Sequence, residues 1–259
     1  MAEYEIIPKA ILDAIEESIK RKRGETAPIS PSQMPLAIDT IPSSVDGTDV
    51  PVGGIYFTKP DSNGNPTECY IIGYAPNAEY TWTSQIGYSY FPYLKKVSFV
   101  NCLKIASIGT SAFQSCASLT AVNFPNSIAS IGTSAFQSCA SLTAVNFPNS
   151  ITSIGTYAFQ YCASLTAVNF PNSIASIGAD AFYGCTSLTD VTIESGFNCN
   201  GLNLSASTQY TTETIVSWLE SLADRTGQAT FKLTVGKTNL NKLTAEQKAI
   251  ATNKNWTLA

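Results

Sequence analysis

Residues 131–153 read I-G-T-S-A-F-Q-S-C-A-S-L-T-A-V-N-F-P-N-S-I-T-S, and nearly the same 23 residues stand on either side of them, at 108–130 and 154–176. A fourth and more divergent copy begins at Ile177. A fixed period of this length is typical of a solenoid, in which each unit contacts mainly its neighbours. The sequence therefore predicts a stacked repeat domain, and such domains display binding surfaces more often than they carry an active site.

Each copy contains a short predicted strand. Residues 119–124 have the spacing L-x-x-L-x-L that is typical of the parallel strand of leucine-rich repeats. Alternate side chains of a strand point to opposite faces. Asn123 should therefore point outward, and Asn146 and Asn169 of the next two copies should stack beside it in one ladder.

The second half of each copy is predicted to return along the opposite side of the solenoid. Pro125 has no backbone N–H to donate and ends the strand. Gly109 is expected to let the chain turn, because glycine adopts backbone conformations that other residues avoid. A short helical stretch should follow and direct Ala112, Phe113 and Cys116 into the core.

The unit I-G-x-x-A-F-x-x-C-x-x-L resembles the BspA-like (Treponema-type) leucine-rich repeat. The first copy matches this signature at Ile108, Gly109, Ala112, Phe113, Cys116 and Leu119. The likeness covers residues 86 to about 193, with a shortened opening unit at 86–99. It implies a solenoid of short parallel strands. It also implies binding rather than catalysis, because members of this family are mainly bacterial and protozoan surface proteins or parts of phage-encoded proteins.

Charge is sparse and histidine is absent. Only 13% of the 259 residues are charged, and none lies between Lys104 and Asp180. Affinity for nucleic acid comes largely from lysine and arginine, so the repeats are not expected to bind it. An uncharged surface of hydroxyl and amide groups suits a carbohydrate or a protein partner. Because histidine is the commonest general acid–base residue and metal ligand, its absence argues against both roles, and no cofactor or metal is predicted.

Four of the seven cysteines occupy the same position of the repeat. They are Cys116, Cys139, Cys162 and Cys185. The main interpretation is a column of small apolar side chains in the core. Disulfides between copies and a metal site are the alternatives, although parallel side chains in stacked units have poor geometry for a disulfide. Cys69, Cys102 and Cys199 follow no pattern.

Residues 1–45 are predicted to form a small helical hairpin that attaches the protein to another chain or to a second copy. The segment resembles the leader A-I-x-x-x-I-R-x-K-x-G…M-P-x-x-I found at the front of many phage tail and baseplate-associated proteins. The likeness is carried by Ala14, Ile15, Ile19, Arg21, Arg23, Gly24, Met34, Pro35 and Ile38. Lys22 and Arg23 are exchanged relative to that motif. The resemblance implies contact with other virion subunits.

The beginning of the chain bears on localisation. Residues 1–23 lack the apolar stretch of a signal peptide, and no run of about 18 apolar residues could span a membrane. The expectation is a protein folded in the cytoplasm without membrane insertion. It would then be a virion component. The alternative is a bacterial surface protein whose export signal was removed.

Two flanking regions are predicted to cover the ends of the solenoid. In residues 46–85, two apolar runs flank Asn63-Gly64, which is a strong hairpin signal. An aromatic cluster follows, at Tyr80, Trp82, Tyr88, Tyr90, Phe91 and Tyr93. It is interpreted as part of the N-terminal cap, with a sugar-stacking surface as the alternative. Residues 201–259 are predicted to form a β-α-β-α-β cap whose strands extend the repeat sheet, with a capping box at Thr244 opening the second helix.

The copies differ mainly at two positions. The first holds Ser111, Ser134, Tyr157 and Asp180 in successive copies, and the second holds Ser115, Ser138, Tyr161 and Gly184. Residues four apart share one side of a helical turn, and tyrosine with serine is typical of antibody binding loops. We therefore hypothesise an exposed recognition stripe centred on Tyr157 and Tyr161. Drift at unconstrained surface positions is the alternative.

Together these features predict an α/β fold with a leucine-rich-repeat solenoid at residues 86–200. The predicted function is that of a non-enzymatic, phage tail or fibre-associated protein that binds a receptor. Its partner would be a host-surface protein or carbohydrate. A bacterial surface or secreted adhesin is the alternative. The candidate binding residues are those of the variable stripe and the asparagine ladder. An enzyme is not predicted, because the sequence contains no paired carboxylates, nucleophile motif or phosphate-binding loop.

Overall fold

The computed structural model describes residues 54–60, 66–72, 80–82, 94–100 and 105–259. The predicted helical hairpin at 1–45 and the aromatic residues at 88–93 lie outside these ranges. The assignment of residues 46–85 as a cap, like the other domain boundaries, therefore stays a prediction.

Two mainly parallel sheets run along the repeats. The strands of the first sheet are β1 (Gly54–Pro60), β2 (Pro66–Ile72), β4 (Lys96–Val100), β6 (Ala121–Asn123), β8 (Ala144–Asn146), β10 (Ala167–Phe170) and β12 (Asp190–Ile193), adjacent in that order. Those of the second are β3 (Tyr80–Trp82), β5 (Ile105–Ile108), β7 (Ser130–Ile131), β9 (Ser153–Ile154) and β11 (Ser176–Ile177). The predicted solenoid of short parallel strands is confirmed.

The hairpin predicted before the repeats is also present. Strands β1 and β2 are antiparallel, with Phe57 opposite Cys69. Strand β2 then pairs in parallel with β4, and β4 with β6, so the hairpin joins the edge of the repeat sheet.

Equivalent side chains of successive copies stack in the core. The rings of Phe113, Phe136, Phe159 and Phe182 form one column, with centroids 5.1, 5.2 and 5.4 Å apart and nearly parallel planes. Phe147 packs edge-on against Phe159 at 5.7 Å. The repeat cysteines form a parallel column of buried free thiols. A thiol of one copy contacts the phenylalanine carbonyl of the copy before it, as when Cys139 Sγ donates to the Phe113 oxygen at 3.2 Å.

The repeat glycines have a different role from the one predicted. None of Gly132, Gly155 and Gly178 has a positive φ, so a turn does not require them. Instead, the backbones of neighbouring copies approach closely here. A Cβ built on Gly155 would lie 2.6 Å from the carbonyl carbon of Gly132 and 2.5 Å from the amide nitrogen of Thr133. The glycine is needed because no side-chain atom fits between the copies.

A C-terminal unit closes the end of the solenoid. Its strands are β13 (Leu202–Asn203), β14 (Phe231–Thr234) and β15 (Trp256–Leu258), and its helices are α1 (Thr212–Ser221), α2 (Lys237–Leu240) and α3 (Ala245–Asn253). The capping box at Thr244 is confirmed. The expectation that these strands extend the repeat sheet is wrong, since they form a separate three-stranded parallel sheet. Helix α1 packs on β12 instead.

Polar contacts attach this unit to the last repeat. Trp218 Nε1 donates to the Val191 carbonyl at 2.7 Å, and Ser207 Oγ donates to the Leu188 carbonyl at 2.6 Å. Lys254 Nζ donates to the Leu219 and Leu222 carbonyls near the C-terminal end of α1, where a cation is favoured by the helix dipole. None of the helices that the structure describes is both long enough and apolar enough to cross a membrane.

The close approach of the glycines predicts a position-specific loss of stability. Gly155→Ala should lower the free energy of unfolding by ~1–3 kcal/mol, because the added methyl overlaps backbone atoms that cannot move independently. Ala129→Thr is the matched control, since the next copy carries Thr152 at that position, and it should change stability by under ~0.5 kcal/mol. Urea unfolding compares the two. Equal stabilities of Gly155→Ala and the natural protein would contradict the packing argument.

The cysteine column predicts a loss of stability in alkali. Burial raises the pKa of the Cys116 and Cys185 thiols from 9 to about 12, and it raises the pKa of Cys139 and Cys162 well above 9. In the unfolded chain these thiols ionise first as the pH rises, so their contribution to stability is complete below about pH 9 and is lost towards pH 12.

Urea unfolding at pH 8, 9.5 and 10.5 measures this effect. Cys139→Ala should reduce the decline with pH, although it also costs some stability at pH 8. Iodoacetamide at pH 8 should leave all four repeat cysteines unlabelled until the protein unfolds. Labelling of the folded protein at Cys139 would show that the column is accessible.

Candidate binding surface

The variable positions lie on a ladder of turns rather than on helices. We call the segments 111–115, 134–138, 157–161 and 180–184 the turn ladder. The amides of Ser111, Phe113 and Ser115 in the first segment donate to carbonyls of the next copy at 2.8, 2.7 and 2.8 Å. The acceptors are Thr133, Ala135 and Gln137. The second segment donates to the third, and the third to the fourth, in the same way.

The helix predicted for these residues is therefore wrong, and the backbone shows why. The first and fifth residues of each turn segment adopt the left-handed conformation, with φ of 56° and 63° at Ser111 and Ser115 and of 57° and 60° at Tyr157 and Tyr161. This conformation directs alternate amides along the solenoid axis towards the next copy. The strain of each left-handed residue, ~1 kcal/mol or more, is offset by hydrogen bonds between copies.

The predicted stripe is only partly exposed. Its exposed members are Ser115, Tyr157, Tyr161 and Asp180, and its half-buried members are Ser111, Ser138 and Gly184. Ser134 is buried, with 9% of its surface exposed. The expectation of a uniformly exposed stripe is therefore wrong at that residue.

Three tyrosines form the exposed part of this surface, and we call Tyr157, Tyr161 and Tyr183 the tyrosine cluster. Their exposed fractions are 38%, 50% and 53%, and they are the only exposed large hydrophobic side chains among the residues whose side chains the structure describes. The rings of Tyr161 and Tyr183 meet edge to face, with centroids 5.6 Å apart and planes at 76°. A Cβ on Gly184 would lie 2.6 Å from Cδ1 of Tyr161. The glycine therefore leaves the space that the ring of Tyr161 occupies.

Tyr183 is a member of the cluster that sequence reasoning missed. It stands where the earlier copies have Gln114, Gln137 and Gln160. The side chains of those glutamines form a column, in which each Nε2 donates to the Oε1 of the next. Comparison of the fourth copy with the others at this position could have identified Tyr183, because a tyrosine ends an otherwise uniform column of glutamines.

The asparagine ladder lies on the strand side of the copies, apart from the turn ladder in sequence. Asn146 is opposite Asn169 in the sheet, and both Asn123 and Asn146 are exposed as predicted. Asn169 is half-buried and bonds to its neighbour, since its Oδ1 accepts from the Phe147 amide at 2.7 Å and its Nδ2 donates to the Phe147 carbonyl at 3.0 Å. Asn169 is therefore less available to a partner than Asn123 and Asn146.

The site has little charge and no apparent metal centre. Asp180 is the single charged residue in the turn ladder, and its side chain is exposed. In the part of the chain that the structure describes, no three residues among Cys, Asp and Glu are placed to hold a metal ion. The surface offers aromatic rings, amides and hydroxyls, which are groups for binding a neutral partner.

These features define a leucine-rich-repeat solenoid with an aromatic surface on its turn side. The chain belongs to the family of the BspA type leucine rich repeat region, whose pattern matches residues 84–222 in six copies. That match covers more than half of the chain. No curated protein matches the chain significantly.

Solved structures of bacterial repeat proteins are similar to this chain. The leucine rich repeat protein TpLRR of T. pallidum has 28% identity and a TM-score of 0.38, over 52% of this chain and 67% of that one. A leucine-rich repeat protein from Bacteroides ovatus has 30% identity and a TM-score of 0.38, over 47% of this chain and 36% of its own. The pneumococcal vaccine antigen PcpA has 20% identity and a TM-score of 0.41, over 79% of this chain and 44% of that one. This chain thus spans less than half the length of the Bacteroides ovatus protein and of PcpA.

Proposed function

We propose that this protein is a non-enzymatic binding protein that contacts its partner through the tyrosine cluster. The observation that carries the proposal is the concentration of exposed aromatic surface on two adjacent turns. Tyrosine provides a large contact area and loses little conformational entropy when it binds, and it is enriched among the residues that dominate binding energy.

The fold does not require these tyrosines. Copies one and two have Ser111, Ser115, Ser134 and Ser138 at the positions of Tyr157 and Tyr161, with the same left-handed backbone. A bulky residue at positive φ is uncommon. A role in folding alone would therefore favour the serines, whereas a role in recognition explains both the aromatic side chains and their exposure.

In its more specific form, the proposal is a phage virion component, associated with the tail or a fibre, that binds a receptor. Residues 1–45 would attach it to other virion subunits, and the solenoid would carry the tyrosine cluster to the host surface. The support for this role is the resemblance of the N-terminal sequence to phage tail leaders. The alternative is a bacterial adhesin, which is favoured by the family to which the repeats belong.

Reversion of the cluster to the residues of the earlier copies tests the binding site. The triple variant Tyr157→Ser, Tyr161→Ser and Tyr183→Gln should bind at least about tenfold more weakly, because two or three anchors of ~1–2 kcal/mol are lost. Flow cytometry with the fluorescent full chain on intact cells of the bacterium that carries the gene measures this affinity. The variant should fold, since each new residue already stands in an equivalent position.

The matched control is a double variant, Asn123→Ala and Asn146→Ala, which changes the exposed strand side and leaves the cluster intact. It should bind like the natural protein. Unchanged binding of the tyrosine variant would refute the proposed surface, and weaker binding of the asparagine variant would move the site to the strands.

The virion role has a separate test. Mass spectrometry of purified, intact particles induced from the host should detect peptides from this chain in proportion to known tail subunits. A protein found in the cell envelope fraction and missing from the particles would favour the adhesin and contradict the virion role.

A further inference from the structure

The turn ladder ends in three amides without acceptors. In each of the first three turn segments, the first, third and fifth amides donate to the next copy. No turn segment follows the fourth in the ladder. The amides of its corresponding residues, Asp180, Phe182 and Gly184, donate to no atom of the described chain. The residues that carry these amides differ in accessibility, since Asp180 is exposed, Gly184 is half-buried and Phe182 is 2% exposed. The amides of Asp180 and Gly184 are therefore the two that lie on accessible residues.

The C-terminal unit satisfies other atoms of the fourth copy. It donates to the carbonyls of Thr186, Leu188 and Val191, through Gln209, Ser207 and Trp218 respectively. It supplies no acceptor to the three amides. The row lies beside the tyrosine cluster, because Tyr183 stands between Phe182 and Gly184 and the ring of Tyr161 lies against Gly184.

The amides of Asp180, Phe182 and Gly184 form the edge of the last turn segment. The composition of this edge limits what can bind to it. The carbonyls at Ala179, Ala181 and Tyr183 already accept from the third segment, so the backbone of this row offers its amides as donors. A peptide strand presents amides and carbonyls alternately along one edge. Pairing such a strand here would place its own amides against amides, which leaves them unsatisfied. Addition of a peptide strand is therefore disfavoured.

An anion is disfavoured as well. Alternate amides in turns of this kind can bind anions, but Asp180 places an exposed carboxylate at the same edge. The repeats between Lys104 and Asp180 carry no charge, and the chain as a whole has a net charge of −4. A neutral ligand that accepts hydrogen bonds avoids this repulsion.

We propose that this edge and the tyrosine cluster together bind a neutral carbohydrate, a conclusion that rests on the proposed function. Sugar hydroxyls rotate and can both accept and donate, so they can accept from the amides of Asp180 and Gly184 and donate to the Asp180 carboxylate. The apolar C–H face of a pyranose ring packs on an aromatic ring, and Tyr161 and Tyr183 present two such rings at 76°. The site combines these groups at the end of one turn segment.

A glycan array that carries neutral and acidic glycans, probed with the full-length protein, tests the ligand class. We expect binding to one or more neutral glycans. The double variant Tyr161→Ser and Tyr183→Gln should bind at least about tenfold more weakly, and so should Gly184→Ser, whose Cβ would meet the Tyr161 ring. Asn123→Ala should bind normally. In NMR titration with a glycan that binds, the amide resonances of Asp180, Phe182 and Gly184 should shift.

Three results would overturn this inference. They are preference for acidic glycans, neutral binding that the tyrosine variant leaves unchanged, and absence of any glycan binding. If no glycan on the array binds the protein but cells are still bound through the tyrosine cluster, the ligand is a protein and the proposed function stands. If the tyrosine variant also binds cells normally, both proposals fail.

Discussion

Backbone hydrogen bonding from each copy to the next is the constraint on which this structure depends. It operates in the parallel strands, at the repeat glycines and in the turn ladder. Each bond requires the amide of one copy to lie opposite a carbonyl of the next copy. Because the same pairs recur along the stack, the copies must share one length and one conformation. This requirement excludes a side chain at Gly155, and it maintains a left-handed backbone at Tyr157 that an isolated tyrosine would avoid.

The same constraint explains the absence of charge from the first three copies. Equivalent side chains stand about 5 Å apart, as the phenylalanine rings do. Apolar residues, thiols and glutamines form favourable columns at that spacing. Like charges would repel by ~1 kcal/mol per pair in water and by several times more near a low-dielectric surface. A repeat with nearly identical copies is therefore best built from neutral residues, and its surface suits neutral partners.

The end of the stack is where this regularity can be broken without cost to the core. The third and fourth copies differ from the first two at Tyr157, Tyr161, Asp180, Tyr183 and Gly184, and these residues gather beside the last turn segment. The C-terminal unit packs on the fourth copy but supplies no acceptor to the amides of Asp180, Phe182 and Gly184. Termination of the solenoid thus creates a surface that no internal copy can have.

Sequence alone determined the solenoid, its core columns, the antiparallel hairpin, and the three strands and two longer helices of the C-terminal unit, but not its short helix α2. These follow from local patterns: a 23-residue period, apolar spacing, a turn signal and a capping box. Only the tertiary structure decided the left-handed turns, the true reason for the repeat glycines and the separate C-terminal sheet. It also brought Tyr183 into the cluster, where its ring meets that of Tyr161. The physical reason is that hydrogen bonds to a neighbouring copy select the backbone of residues such as Ser111 and Tyr161, and a local pattern does not contain that neighbour.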